Sequence, residues 1–161
     1  MTEQTTSHFR LTAVRIASKN DGTYSVDPHG RLAALIPVRD RWGEIVDAVA
    51  FLPGAPGRWW LHHRDTVILG AEALAEAAWE HQPLELWETP EQWLLHRRRG
   101  AVVLDWAVDW RSVFEDVPEI ICQSQALIDR LQGNFLRFGS RLTVTAEDSR
   151  SGQGVQVAER A

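Results

Sequence analysis

One cysteine, Cys122, and one lysine, Lys19, stand in a chain of 161 residues, and no apolar run approaches the length of a membrane span. With a single thiol no intramolecular disulfide can form and no cysteine cluster can hold zinc, which agrees with a reducing compartment. A spanning helix needs roughly 20 predominantly apolar residues, so a helical membrane protein is excluded. The segment Met1 to His8 is polar and lacks the apolar centre of a signal peptide. These absences predict a cytoplasmic protein with no membrane partner. Positive charge is also short: the net charge is −5 at pH 7. Affinity for nucleic acid comes largely from Lys and Arg neutralising phosphates. Gripping nucleic acid over the whole surface is therefore excluded, although a local basic patch is not. Of the 17 basic residues only Lys19 is lysine, which fits the codon usage of a GC-rich genome.

Hydrophobic residues make up 44% of the chain and charged residues 24%, near globular averages, and the length suits one domain with a core that needs no staples. Eight tryptophans are the compositional oddity. Trp suits half-wet positions because it carries a large area and a single donor. Residues 1–8 are expected to be a disordered tail, 9–139 a single globular domain, and 140–161 a mostly disordered polar tail after an extended piece at Leu142 to Thr145.

The chain is organised around LELWETPEQWLLHRRRGAVVLDW, from Leu84 to Trp106. Leu84 to Trp87 is a short apolar strand. Thr89 as N-cap, Pro90 at the first helical position and Gln92 three residues after the cap start a helix. Arg97, Arg98 and Arg99 would oppose the negative end of its dipole, and Gly100 can take the left-handed stop. Ala101 to Leu104 is then an uninterrupted apolar strand, and the connection is long enough for a parallel crossover.

Around this unit, Thr23 to Val26 is a short strand and Phe9 to Ala17 a strand or short helix. Leu32, Ala34, Ile36 and Val38 fall on one face at period two, and residues 31–69 read as an antiparallel meander with Thr66 to Leu69 as its last strand. Gly70 to His81 is predicted helical, with Leu74, Ala75, Ala78 and Trp79 on its buried stripe. Asp116 to Glu119 looks like a second helix start, followed by an apolar stripe from Val117 to Phe138 over about six turns. The predicted class is α/β or α+β: a mixed sheet with an antiparallel meander, a βαβ unit and a long C-terminal amphipathic helix.

Glu88, Asp105 and Asp109 are the candidate chemical residues. Ligands of a parallel sheet gather beyond the carboxyl ends of its strands, where these carboxylates could hold Mg²⁺. The plainer reading makes Glu88 a solvated neighbour of the helix cap and the aspartates loop residues. Arg97, Arg98 and Arg99, with Arg58 and Arg64, could form a basic patch to which Trp59 and Trp60 add stacking faces; dipole compensation is the alternative. His62 and His63, adjacent on a strand, are expected to point to opposite faces, and Cys122 reads as a packing thiol within the last helix.

The order of meander, apolar strand, acidic residue, capped helix and apolar strand resembles the start of a Toprim-type domain in primases of phages and mobile elements. The same stretch is similar to small proteins of proteobacterial prophages and integrated elements. The resemblance covers roughly residues 31–108 and makes Glu88 the family's general-acid glutamate. Two features depart from it: Thr89-Pro90 stands where the family has Gly, and no Asp-x-Asp motif occurs on a later strand. The expected function is a non-catalytic accessory or protein-interaction protein of a bacterial mobile element or phage. It would need no cofactor and would present an aromatic surface to a protein partner or a second copy. A second expectation is a Mg²⁺-dependent nucleic-acid-processing domain with Glu88 as general acid or base and Asp105 and Asp109 as metal ligands. A third is a nucleic-acid-binding module acting through the arginine cluster.

Overall fold

The computed structural model describes residues 11–55, 57–138 and 144–146. The tails expected at 1–8 and 140–161 lie outside the described residues, apart from a strand at 144–146. Two five-stranded sheets carry the fold. The first holds β1 (Thr12–Ser18), β2 (Tyr24–Val26), β3 (Arg31–Arg39), β4 (Ile45–Phe51) and β5 (Trp59–Leu61) in the order β2-β1-β3-β4-β5. Its neighbouring strands all pair antiparallel. The β3–β4 turn is built by Asp40, whose carboxylate accepts from the backbone N–H groups of Trp42 and Glu44 at 2.9 and 3.0 Å, the usual service of an Asp side chain in a tight turn.

The next strand, β6 (Ile68–Leu69), does not extend the meander as expected. It crosses to the second sheet, which also holds β7 (Leu84–Trp87), β8 (Ala101–Val103), β9 (Ile120–Cys122) and β10 (Val144–Ala146) in the order β10-β9-β7-β8-β6. Strand β7 runs parallel to both β8 and β9, β10 runs parallel to β9, and β6 alone is antiparallel, against β8. The meander and the βαβ unit are thus present, and β6 makes the second sheet mixed.

Helix α1 (Ala71–Glu80) follows β6, α2 (Pro90–Leu95) joins β7 to β8, α3 (Trp110–Val113) lies between β8 and β9, and α4 (Gln125–Phe138) follows β9. The residues of β7 and β8 alternate between two covered faces, as strands packed on both sides must. Leu84, Leu86, Ala101 and Val103 meet Trp110, Phe114, Leu131 and Phe135 of the helical layer. Trp87, Val102 and Leu104 meet Trp93 of α2 and Ile36, Val38 and Val49 of the first sheet. Among the described residues no helix is long and apolar enough to cross a membrane.

Three local expectations are corrected. The six-turn helix from Val117 begins only at Gln125, because Ile120 to Cys122 is strand β9, inserted between β7 and β10. Two β-branched residues and a small thiol suit that slot better than a helix turn. Helix α2 stops at Leu95 and leaves the three arginines beyond it. The third concerns α1: Trp79 is 86% exposed and Ala77 is the residue packed down, so the buried stripe is rotated from the expected one.

Cys122 is therefore a strand residue, fully buried, and burial pushes its thiol up to about 12. Since the thiolate is the reactive form, alkylation at mildly alkaline pH is expected to be negligible in the folded protein and complete in denaturant. Rapid labelling of the native chain, followed by mass spectrometry, would contradict this burial.

Candidate functional site

The carboxyl ends of β7, β8 and β9 open on one edge of the second sheet. Strand β7 leads into Glu88, β8 into Leu104 and Asp105, and β9 into Gln123 and Ser124. The start of α2 is capped as its sequence indicates. Thr89 Oγ1 accepts from the Gln92 N–H at 3.1 Å, and the Glu88 N–H donates to Gln92 Oε1 at 3.0 Å. With its backbone fixed in this way, the half-buried Glu88 turns its carboxylate toward the next strand, where Ser124 Oγ donates to Glu88 Oε1. That hydroxyl also accepts from the Leu127 N–H at 3.1 Å, so it caps α4. Glu88 thus ties the end of β7 to the start of α4.

Asp105 is held differently. Its Oδ2 accepts from Arg64 Nη2 at 2.7 Å and its Oδ1 from the Ala107 N–H at 2.9 Å. The Ala107 N–H holds this carboxyl below the ordinary carboxylate range; burial opposes it, and the hydrogen bond and charge of Arg64 add to the lowering. The sign follows: the lowered folded value adds stability above the unfolded value, and this is lost as pH falls through the folded one. Arg64→Ala should raise the Asp105 titration point partway to the ordinary value and leave the share held by Ala107. Carboxyl carbon shifts measured against pH would show it; an unmoved midpoint would mean the pair has no electrostatic role.

Asp109 caps α3, accepting from the Arg111 N–H at 3.0 Å and from Ser112 Oγ at 3.3 Å. The three carboxylates thus have three separate occupations. Among the described residues no group of three His, Cys, Asp or Glu side chains is placed to hold a metal ion. Glu88, Asp105 and Asp109 are therefore not gathered into one three-carboxylate cluster, although each is a donor of the oxygen type that Mg²⁺ takes.

The arginines and tryptophans expected to form one patch are divided. Arg97 and Arg98 take left-handed backbone, with φ 58° and 61°. The turn they make is drawn back by Trp87 and Trp93, whose indole N–H groups donate to the carbonyls of Arg99 and Gly100 at 2.8 and 2.9 Å. Burial, and then nearby Arg39, lower the Arg98 guanidinium from its ordinary value. Arg39, Arg98 and Arg99 line a 720 Å³ groove whose other walls include Glu72, Glu76 and Glu85, a mixed-charge surface at the amino ends of β7 and β8. Trp59 lies at the other end of β8, where its indole N–H donates to the Leu104 carbonyl at 3.4 Å. Trp60 packs on the far face of the first sheet.

Sequence reasoning missed the residue that shapes the rim. Asp47, 5% exposed, accepts from the backbone N–H groups of Ala48 at 2.7 Å and of His62, His63 and Asp65 at 3.1 Å each. The loop wrapped on this carboxylate carries Arg64 to Asp105. It also turns His62 and His63 toward each other, their ring nitrogens 2.6 Å apart, which corrects the expectation of opposite faces: β5 ends at Leu61 and the pair lies in a turn. A charge within the apolar run from Ile45 to Phe51 was the available signal, because aspartate is almost never fully buried without partners. A second omission is Arg130 of α4, whose guanidinium lies 4.5 Å over the ring of Trp106. Trp59, Arg64, Asp105, Trp106 and Arg130 surround a 240 Å³ cleft between the first sheet and the rim.

No family model matches the chain, and no curated protein matches it. Solved structures do. A DNA primase domain from Pseudomonas aeruginosa superposes with a TM-score of 0.53 at 16% identity, covering 86% of this chain and 50% of that one. A DnaG primase catalytic domain bound to ssDNA gives 0.53 at 14% identity, with coverage of 87% and 50%. The fold of this chain resembles about half of a primase catalytic core. The zinc-binding and RNA polymerase domains of the Aquifex aeolicus primase agree, at TM-score 0.52, 14% identity and coverage of 86% and 39%. At such identities the likeness is one of fold, and the chain spans about half the length of the primase structures it matches. The Toprim-like resemblance seen in the sequence thus holds for the architecture. On this fold Glu88 follows the first parallel strand, while β9 beside it ends at Cys122 and is followed by Gln123 and Ser124, with no carboxylate.

Proposed function

We propose that this chain is a nucleic-acid-binding accessory domain on a primase-core fold, working in a phage or mobile-element setting and leaving phosphoryl transfer to a partner. The observation that carries the reading is the chemistry of the rim. The resemblance would make Glu88 the general acid, yet the segment that follows the neighbouring strand β9 offers it Ser124 rather than an aspartate. Asp105 is neutralised by Arg64. Metal-assisted phosphoryl transfer depends on ions that clamp the attacking and leaving oxygens, and the engagement of Glu88 by Ser124 and of Asp105 by Arg64 favours a reading without such a clamp. What the rim does offer is arginine and tryptophan at a cleft, the combination that tracks a single strand by charge and stacking. The arginine turn at 97–99 plays no part in this reading.

Labelled single-stranded DNA or RNA should bind at low salt and weaken as salt is raised, because phosphate contacts release counterions. No strand should be cut or extended. Absence of binding at the lowest workable salt would overturn the reading. The position of Glu88 also supports the other reading, a Mg²⁺-dependent nucleic-acid-processing domain. That one predicts a higher thermal midpoint in millimolar Mg²⁺, abolished by Glu88→Gln.

A further inference from the structure

The cleft between the first sheet and the rim has a feature that its structural role leaves unused. Arg130 lies over Trp106, its guanidinium carbon 4.5 Å from the ring centroid, and is exposed. Among the described residues its N–H groups make no hydrogen bond and its charge no ion pair. Its donors therefore stay available to a ligand. Arg64, in contrast, is spent: it donates to Asp105 Oδ2 at 2.7 Å and to the Asp21 carbonyl at 2.9 Å. The carboxylates that line the cleft are also engaged, Asp105 by Arg64 and Ala107, and Asp21 by the N–H and hydroxyl of Thr23 at 2.9 and 2.6 Å. Arg130 is therefore the cation of this cleft whose donors are not engaged by another group among the described residues.

We infer that the cleft receives one unpaired nucleobase of a single strand, stacked against the Trp59, Trp106 and Arg130 surfaces, with the adjoining phosphate on the donor edge of Arg130. This rests on the proposed single-strand binding and adds where the strand is read. Size favours one base of a longer strand over a free ligand: 240 Å³ is below the roughly 300–1,000 Å³ of sites that bury a whole small molecule. Stacking is indifferent to base identity because every base has a π-face, and an arginine plane serves as well as a ring. The site therefore selects unpaired over paired nucleic acid. Its sequence preference is weak.

Fluorescence anisotropy of a short labelled oligothymidylate tests this with three variants. Arg130→Gln, at an exposed position, should weaken binding about tenfold and lower the salt slope by about 1. Trp106→Phe, which keeps a ring to pack, should weaken it about threefold with little change in slope. Arg97→Gln, at the amino end of β8, should stay near the wild-type affinity. A matched duplex should bind more weakly than the single strand. If the oligonucleotide binds while Arg130→Gln and Trp106→Phe match the wild type, the cleft is the wrong site and the single-strand reading survives. If the wild type does not bind at low salt, both fall.

Discussion

Replacing Asp47 with alanine lowers stability by about 3–5 kcal/mol, the range of a broken buried charge network. The carboxylate is 5% exposed and accepts from four backbone N–H groups, those of Ala48, His62, His63 and Asp65. Alanine offers none of them an acceptor. The His62 N–H also donates to the Ala48 carbonyl at 3.0 Å, but His63 and Asp65 lose their acceptor, and Arg64 between them holds left-handed backbone at φ 63°, a strain that persists only when its surroundings fix it. Asp47→Asn keeps one oxygen as acceptor at Oδ1 and loses the one used by Asp65, so its effect should be about 1–2 kcal/mol. Urea unfolding would show a lower midpoint at unchanged slope for both variants. Because Arg64 reaches Asp105 from this loop, Asp47→Ala should also loosen the rim and weaken oligonucleotide binding. A stability change of less than about 1 kcal/mol for the alanine variant would mean that the loop is held by something other than this side chain.

A comparable loss is expected for Gly100→Ala, from a different cause. Gly100 has φ 70°, and a Cβ there would lie 2.3 Å from the carbonyl oxygen of Glu85 and 2.9 Å from its Cβ. The left-handed conformation alone costs an ordinary residue about 1–2 kcal/mol. Glu85 cannot withdraw, since β7 is paired with β8 on one side and β9 on the other. The total should be about 4 kcal/mol or more, at the upper end for single substitutions, and the variant is expected to be largely unfolded at physiological temperature. Gly133→Ala is the internal control. It lies in α4, where a Cβ would meet nothing within 4 Å, so the same exchange should stabilise by about 0.5–1 kcal/mol. Opposite signs for two identical exchanges would establish that Gly100 is required by the close approach of β8 to β7. Equal and small effects would contradict that packing.

The legible parts of the sequence were those in which neighbouring residues determine the outcome. Thr89, Pro90 and Gln92 specify a helix start that needs nothing from the rest of the chain, and α2 begins at Pro90 with its cap bond in place. The period-two run of β3 and the unbroken apolar run of β8 likewise gave strands of the expected kind. Where the outcome depends on distant residues, local pattern misled. Ile120, Ile121 and Cys122 fit a helical stripe as well as a strand, and the parallel partners on both sides, β7 and β10, decide between them. Trp79 looked like a buried helix residue because it is large and apolar, yet the sheet accepts the small Ala77 at the contact and leaves the indole in solvent.

The rim shows the same division. Glu88 could be placed on it from strand direction alone, since β7 and β8 run parallel. Its hydrogen-bond partner Ser124 is 36 residues away in sequence, and no pattern in either segment points to the other. The cleft was out of reach for a similar reason. Arg64 comes from the loop after β5, Trp106 follows β8 and Arg130 belongs to α4, so only the folded chain brings them together. The cluster visible in sequence, Arg97 to Arg99, owes its backbone shape to Trp87 and Trp93, an arrangement that serves the turn.

Affinity for a single-stranded oligonucleotide, measured at matched ionic strength with Mg²⁺ and then with chelator, bears on the whole proposal at once. The account predicts equal binding in both conditions, with no strand cleaved or extended, because the contacts are made by arginine and tryptophan side chains. Binding that appears only with Mg²⁺ and is lost in Glu88→Gln would contradict it and restore the metal-dependent reading of the rim.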